Sequence, residues 1–228
     1  MPLIKIKEEK DIKWVLFWIV ILGTVLRIPN VFNGLPYFVS IDEGLVNTIV
    51  LNLNHSNLNP RDFIYPGLLY YILLPVFTFF KIFIFPHLAN LSNLGPFFSY
   101  VLIGRIIIAI LGVLNIILFY AIGKKLFDAY TGLIAALFLA IDPMYIAWSF
   151  IFKPDMLMSL LVLAAFLFIC KLYNNQQPGK SIYTLIGLFI GLAAASKYNA
   201  ILIIVPFLLA HLLSLKNKAN FINKNLFL

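Results

Sequence analysis

The chain has 228 residues, of which 62% are hydrophobic and 11% charged, with a mean hydropathy of +0.98. Water-soluble domains carry about a quarter charged residues, so a soluble enzyme or binding module is excluded and a membrane protein is expected. The formal net charge of +8 does not point to nucleic acid, because the lysines fall in short clusters between apolar spans, as they do in cytoplasmic loops.

The start, "MPLIKIKEEKDIKW", leads into an apolar run without a small-residue cleavage site, so the first span, Trp14–Ile28, is read as an uncleaved anchor. Next comes "YPGLLYYILLPVFTFFKIFIFPHL", with Pro66, Pro75, Pro86, Lys81 and an apolar core over Leu68–Phe80. That core is short for a crossing and predicts an interfacial or re-entrant helix. Further spans are predicted at Phe98–Ile122, Tyr130–Trp148, Asp155–Tyr173, Ile182–Ser196 and Asn199–Leu215, each apolar nearly all round. The expected fold class is therefore an all-α integral membrane protein, a polytopic bundle of about six transmembrane helices. The sole cysteine, Cys170, lies inside an apolar run and closes no disulfide within the chain.

Charge sets the expected orientation. If the proline-rich piece does not cross and the N-terminus is cytoplasmic, Lys5, Lys7, Lys10, Lys13, Lys124, Lys125, Lys171, Lys180, Lys216, Lys218 and Lys224 all lie inside, most of the 17 basic residues. That is the distribution the positive-inside rule favours. The expected layout is a cytoplasmic N-terminus over 1–13, a membrane module over 14–215 with an outer loop at 29–97, and a truncated cytoplasmic tail over 216–228. The protein is expected in the cell membrane, multi-pass, with both termini cytoplasmic. A loop as long as 29–97 in a compact membrane protein is usually functional. Asp42, Glu43, Asp62, Asp142 and Asp155, five of the nine acids, then gather at the outer face.

Asp42 and Glu43 carry the chemical question. Their plain reading is a helix N-terminus, capped by Ser40 or Asp42. Capping does not account for their basic company: Arg27 ends the first span, Arg105 lies on the order of 10 Å below the outer surface, and Lys153 and Asp155 open the fourth span. A buried arginine is expected to pair with a carboxylate or a phosphate, both of which fit its planar fork. Acids and bases around a cavity at headgroup depth suit a reaction in which a carboxylate takes a proton from a hydroxyl while cations hold a leaving phosphate. The same charges would suit a transporter or flippase of a lipid-linked or anionic substrate, or persist in a non-catalytic module. A transporter is expected to show discontinuous midplane helices and paired repeats, and neither is read here. His55 and His87 fit no metal spacing, Asp142 before Pro143 reads as a helix end, and Tyr70, Tyr71, Phe79 and Phe80 read as interface anchors.

The order of short motifs resembles the membrane glycosyltransferases of the GT-C fold, in particular the protein O-mannosyltransferase and aminoarabinose transferase relatives of families 39 and 83. "TVLRIPNVFNGLP" matches an arginine closing the first helix, and "SIDEGLVN" an acidic motif in the first outer loop. "YPGLLYYILL" is similar to an H-P-P-L-Y-Y segment, with Tyr65 in the histidine position and Gly67 replacing a proline. "IGRIIIAILGVLNIILFYAIGKKLFDAYTG", "AWSFIFKPDMLMSLLV" and "GLFIGLAAASKYNAILII" continue the resemblance. It covers roughly Arg27 to Leu215 and implies the N-terminal module of such an enzyme.

The resemblance implies roles. Asp42 would be the general base, Glu43 would hold Arg105 in place, and Asp155 would be the second acid. Arg27, Arg105, Lys153 and Lys197 would bind the donor phosphate, although a lysine like Lys197, between two short helices, also snorkels to the surface. The implied partners are a polyprenyl-phosphate sugar donor, the lipid bilayer, a glycan, lipid or protein acceptor, and a missing C-terminal half or partner subunit. Nucleic acid is not among them. No cofactor or metal is called for, since the cations can take the departing charge, though a carboxylate pair also suits a divalent ion.

Overall fold

The computed structural model describes residues 9–53, 57–84, 96–174 and 179–214. His55, His87, Lys5, Lys7, Lys216, Lys218, Lys224 and the tail over 216–228 lie outside the described residues. Among those described there are helices and turns and no strand. Helix α1, Glu9–Val25, opens with Glu9 and Asp11 against its positive end and runs into a 3₁₀ turn, Ile28–Phe32. Helix α2, Ile41–Asn52, is capped by Ser40, whose hydroxyl accepts from the Asp42 N–H. Helix α3, Leu68–Phe79, contains Pro75 and ends in a π turn, Phe80–Ile84.

Helix α4, Pro96–Leu126, is the longest, at 31 residues. Helix α5, Ala129–Ile141, is capped by Asp128. Helix α6, Pro143–Trp148, is capped by Asp142, which accepts the Tyr145 N–H at 2.7 Å. Helices α7, Asp155–Asn174, and α8, Lys180–Ser196, follow. Helix α9, Tyr198–Ser214, begins with a 3₁₀ stretch, Tyr198–Ile203.

The segment expected to cross as Tyr130–Trp148 is thus two helices. Pro143 cannot donate into the preceding turn, and Asp142 ends one helix and caps the next. Among the described residues three helices are long and apolar enough to cross a bilayer: Glu9–Phe32, Ser99–Leu126 and Asp155–Asn174. Leu68–Ile84, Ala129–Ile141, Lys180–Ser196 and Tyr198–Ser214 are shorter apolar helices packed around them.

Helix α4 is the spine. Helices α5 and α7 pack along it, α1 packs on α5 and α4, and α8 packs on α7. Trp18, Phe138 and Leu202 are more than 60% exposed. Such outward-facing apolar side chains are at ease in lipid and not in water. Tyr70, expected at the membrane interface, is instead completely buried, because α2 lies over α3 and Val46, Val50 and Leu53 pack with it in one core. Phe79 and Tyr71 are about half exposed, at 52% and 45%.

The α4–α5 hairpin closes where Gly123 faces Gly132. A Cβ added to Gly132 would meet the Tyr120 carbonyl oxygen at 2.7 Å and the Lys124 nitrogen at 2.9 Å. Both obstacles are backbone, so no rotamer change relieves them, and small residues at helix crossings serve this close approach. Gly132→Ala is expected to lower stability by about 1–3 kcal/mol, read as a fall in melting temperature of the detergent-solubilised protein.

Candidate active site

Glu43 and Arg105 meet at the end of the bundle where α4 begins. Arg105 donates from Nε to Glu43 Oε1 and from Nη2 to Glu43 Oε2, each at 2.8 Å, and both side chains are fully buried. Its remaining guanidinium nitrogen, Nη1, donates to the carbonyls of Val31 (3.2 Å) and Asn33 (2.6 Å). Glu43 accepts two backbone N–H groups as well, from Val39 at 2.9 Å and Phe152 at 3.0 Å. Gly104 lets the last of these segments come close, since a Cβ there would strike the Phe152 ring at 2.6 Å. One ion pair thereby joins the loop after α1, the start of α2, the body of α4 and the loop before α7. Burial pushes the Glu43 carboxyl up, but the Arg105 fork and the two backbone donors outweigh it and hold the carboxyl below the usual carboxylate range.

Arg27 is also fully buried, but its partners are not acids. Nη1 donates to the carbonyls of Gly23 (2.8 Å) and Ala140 (3.0 Å), Nη2 to that of Leu139 (3.1 Å), and Nε to Ser149 Oγ (3.2 Å). The Leu139 and Ala140 carbonyls belong to the last turn of α5, the negative end of that helix. Arg27 therefore clasps α1 to the α5–α6 elbow. The structure places Arg27 and Arg105 in the frame, with their guanidinium groups sealed from the surface, and not among the open charges.

The charges that remain are Asp42, Asp155 and Lys197, which are partly exposed, and Lys153, which is nearly buried. Lys197, at the end of α8, donates to Asp155 Oδ1 at 2.8 Å, so it does more than extend to the surface. Lys153 Nζ lies 3.8 Å from Asp155 Oδ2 and 3.9 Å from Asp42 Oδ2. The Asp42 side chain is 33% exposed against 20% for Asp155 and 8% for Lys153, which makes Asp42 the acid most open to an incoming molecule. Ser40 rather than Asp42 supplies the helix cap, and its hydroxyl also donates to Asp42 Oδ2 at 3.4 Å, the oxygen that faces Lys153.

Two aromatic residues lie against the lysines. Lys153 Nζ sits 3.4 Å from the Trp148 ring centroid and Lys197 Nζ 5.6 Å from that of Tyr65. Burial and the neighbouring Asp42 and Asp155 charges push the Tyr65 hydroxyl up to about 12, so it remains protonated beside two carboxylates. Trp148 was not legible as a site residue; its only signal is an aromatic side chain five positions before Lys153 in "AWSFIFKPD". Among the described residues no group of three His, Cys, Asp or Glu side chains is placed to hold a metal ion.

An all-helical membrane bundle with acids and lysines collected at the helix ends has the features of a GT-C glycosyltransferase, and the family follows from comparison. The family model for dolichyl-phosphate-mannose-protein mannosyltransferases matches residues 100–228, more than half of the chain, and the protein belongs to that family. The matched region contains Arg105, Lys153, Asp155 and Lys197, while Asp42 and Glu43 lie before it, Glu43 joined to it by Arg105 and Asp42 facing Lys153. The comparisons with curated proteins and with solved structures find no match.

Proposed function

We propose that the protein transfers a sugar from a polyprenyl-phosphate donor to a hydroxyl, with Asp42 as general base. The observation that carries this reading is the cluster itself: a partly open carboxylate, Asp42, beside Lys153, with Asp155 linking Lys153 to Lys197, set against a buried ion pair. In the proposed step the acceptor O–H gives its proton to Asp42 as its oxygen attacks the anomeric carbon. The bond from that carbon to the phosphate oxygen breaks, and the phosphate leaves with the electron pair, steadied by Lys153 and Lys197. A single displacement of this kind inverts the anomeric centre. Asp155 holds Lys197 through its direct 2.8 Å bond and so keeps one cation oriented toward the leaving group.

Placement in the membrane follows from charge. With Lys124, Lys125, Lys171 and Lys180 on the cytoplasmic side, the helix ends bearing Asp42 and Asp155 face outward. The chain is multi-pass in this arrangement, its termini are cytoplasmic, and the cluster lies at the depth of lipid phosphates. The acceptor is a glycan, a lipid or a protein side chain presented from outside.

Donor class is the testable core of this reading. Membranes containing the protein are expected to transfer radiolabel from polyprenyl-phosphate sugars, and not from nucleotide sugars when synthesis of the lipid-linked donor is blocked. Transfer that persists from nucleotide sugars under that block would contradict the assignment.

A further inference from the structure

The loop that carries Lys153 holds its ammonium in an unusual way. Hydrogen bonds from an ammonium to a carboxylate span about 2.7–2.9 Å, and Lys197 makes such a bond to Asp155 at 2.8 Å. Lys153 does not: Asp42 Oδ2 and Asp155 Oδ2 are 3.9 and 3.8 Å away. The nearer acid oxygen, Asp155 Oδ2, is buried without a hydrogen-bond partner. What Lys153 does touch is the face of Trp148, with Nζ 3.4 Å from the ring centroid. The ring makes the closest of these contacts to the cation, the two acids pairing with it only at longer range, and an ammonium against a π face keeps N–H donors available.

The ring is itself placed by buried contacts. Trp148 ends α6, whose start is fixed by the Asp142 cap. The next residue, Ser149, receives the Arg27 Nε–H and donates to the Tyr145 carbonyl. A Cβ on Gly112 would meet Ser149 Oγ at 2.6 Å, so α4 presses directly on this elbow. Arg27, sealed away from the cluster, thus reaches it through Ser149 and Trp148.

We propose that Trp148 is a positioning residue for the donor phosphate: its ring face parks Lys153 between Asp42 and Asp155, and an arriving phosphate oxygen draws the ammonium off the ring. This rests on the reading of Lys153 and Lys197 as phosphate ligands. Without the ring, the flexible lysine collapses onto a carboxylate in a direct ion pair, which a phosphate must then break.

The test uses the chain with Trp14→Phe and Trp18→Phe, which leaves Trp148 as the sole tryptophan of three. The purified protein is titrated with farnesyl phosphate, with farnesol as the uncharged control, and binding is followed in parallel by retention of radiolabelled ligand. Trp148 emission is expected to change saturably with farnesyl phosphate alone, and the change should vanish in Lys153→Met. In the chain with all three tryptophans, Trp148→Phe should bind nearly as wild type, while Trp148→Leu should bind about fivefold more weakly. Retained ligand with unchanged Trp148 emission, or full-strength binding by a folded Trp148→Leu, overturns the role of the ring and leaves the phosphate reading standing. No binding by any of these proteins overturns both. If Trp148→Leu fails to fold, the emission titration decides alone.

Discussion

Glu43→Ala is expected to destabilise the protein by about 3–5 kcal/mol, because it leaves the Arg105 charge buried and unpaired. The magnitude follows from position: both side chains are fully buried, and Glu43 is the common acceptor for Arg105, Val39 and Phe152. Removing it releases the start of α2 and the loop before α7 together. A double replacement, Glu43→Leu with Arg105→Leu, should recover much of the loss, since it removes the unpaired charge as well.

The same pair predicts a response to acid. The Glu43 carboxyl is held below its ordinary value in the folded protein, so the folded state binds its proton less readily than the unfolded chain does. Its contribution to stability is complete above the unfolded value of about 4.3 and disappears as pH falls through the lower folded value. Wild type should therefore lose melting temperature below about pH 4, whereas Glu43→Gln should start lower and lack this component. Identical pH slopes for the two proteins would contradict the assignment.

Asp42→Asn is expected to behave in the opposite sense, nearly silent in stability and severe in turnover. Asp42 gives no helix cap, since Ser40 does, and its nearest cation is 3.9 Å away. Loss of its charge from the first turn of α2 should cost at most about 1 kcal/mol. An asparagine cannot accept the acceptor's proton, and removal of a general base typically slows a reaction by about 10²–10⁴-fold. The contrast between neighbouring acids is the sharpest consequence of the proposal: Glu43 is built into the buried frame, and Asp42 is the proposed base.

Much of the frame was legible in the sequence, for a physical reason. A charge inside an apolar helix has few affordable partners, so Arg105 and the acidic pair could be set against each other although 62 positions separate Arg105 from Glu43. Arg27 departed from the expected carboxylate or phosphate, pairing with carbonyls and Ser149, because the carbonyls at the end of α5 leave no mark in the sequence. The elbow at Asp142–Pro143 carried its proline signal, yet apolarity runs unbroken through it and reads as one span. Tyr70 has the composition of an interface anchor; only the lie of α2 over α3 buries it. Trp148 was hidden for a related reason, since an aromatic side chain between apolar helices looks the same whether it faces lipid or supports a lysine.

Sugar transfer by Asp42→Asn, measured beside donor binding in the same membranes, tests the central claim most directly. With Lys153 and Lys197 intact, the variant should still bind a polyprenyl-phosphate sugar while transfer falls by at least about 10²-fold, and Asp42→Glu should restore part of it. Transfer at the wild-type rate in Asp42→Asn would contradict the account and move the reactive base elsewhere.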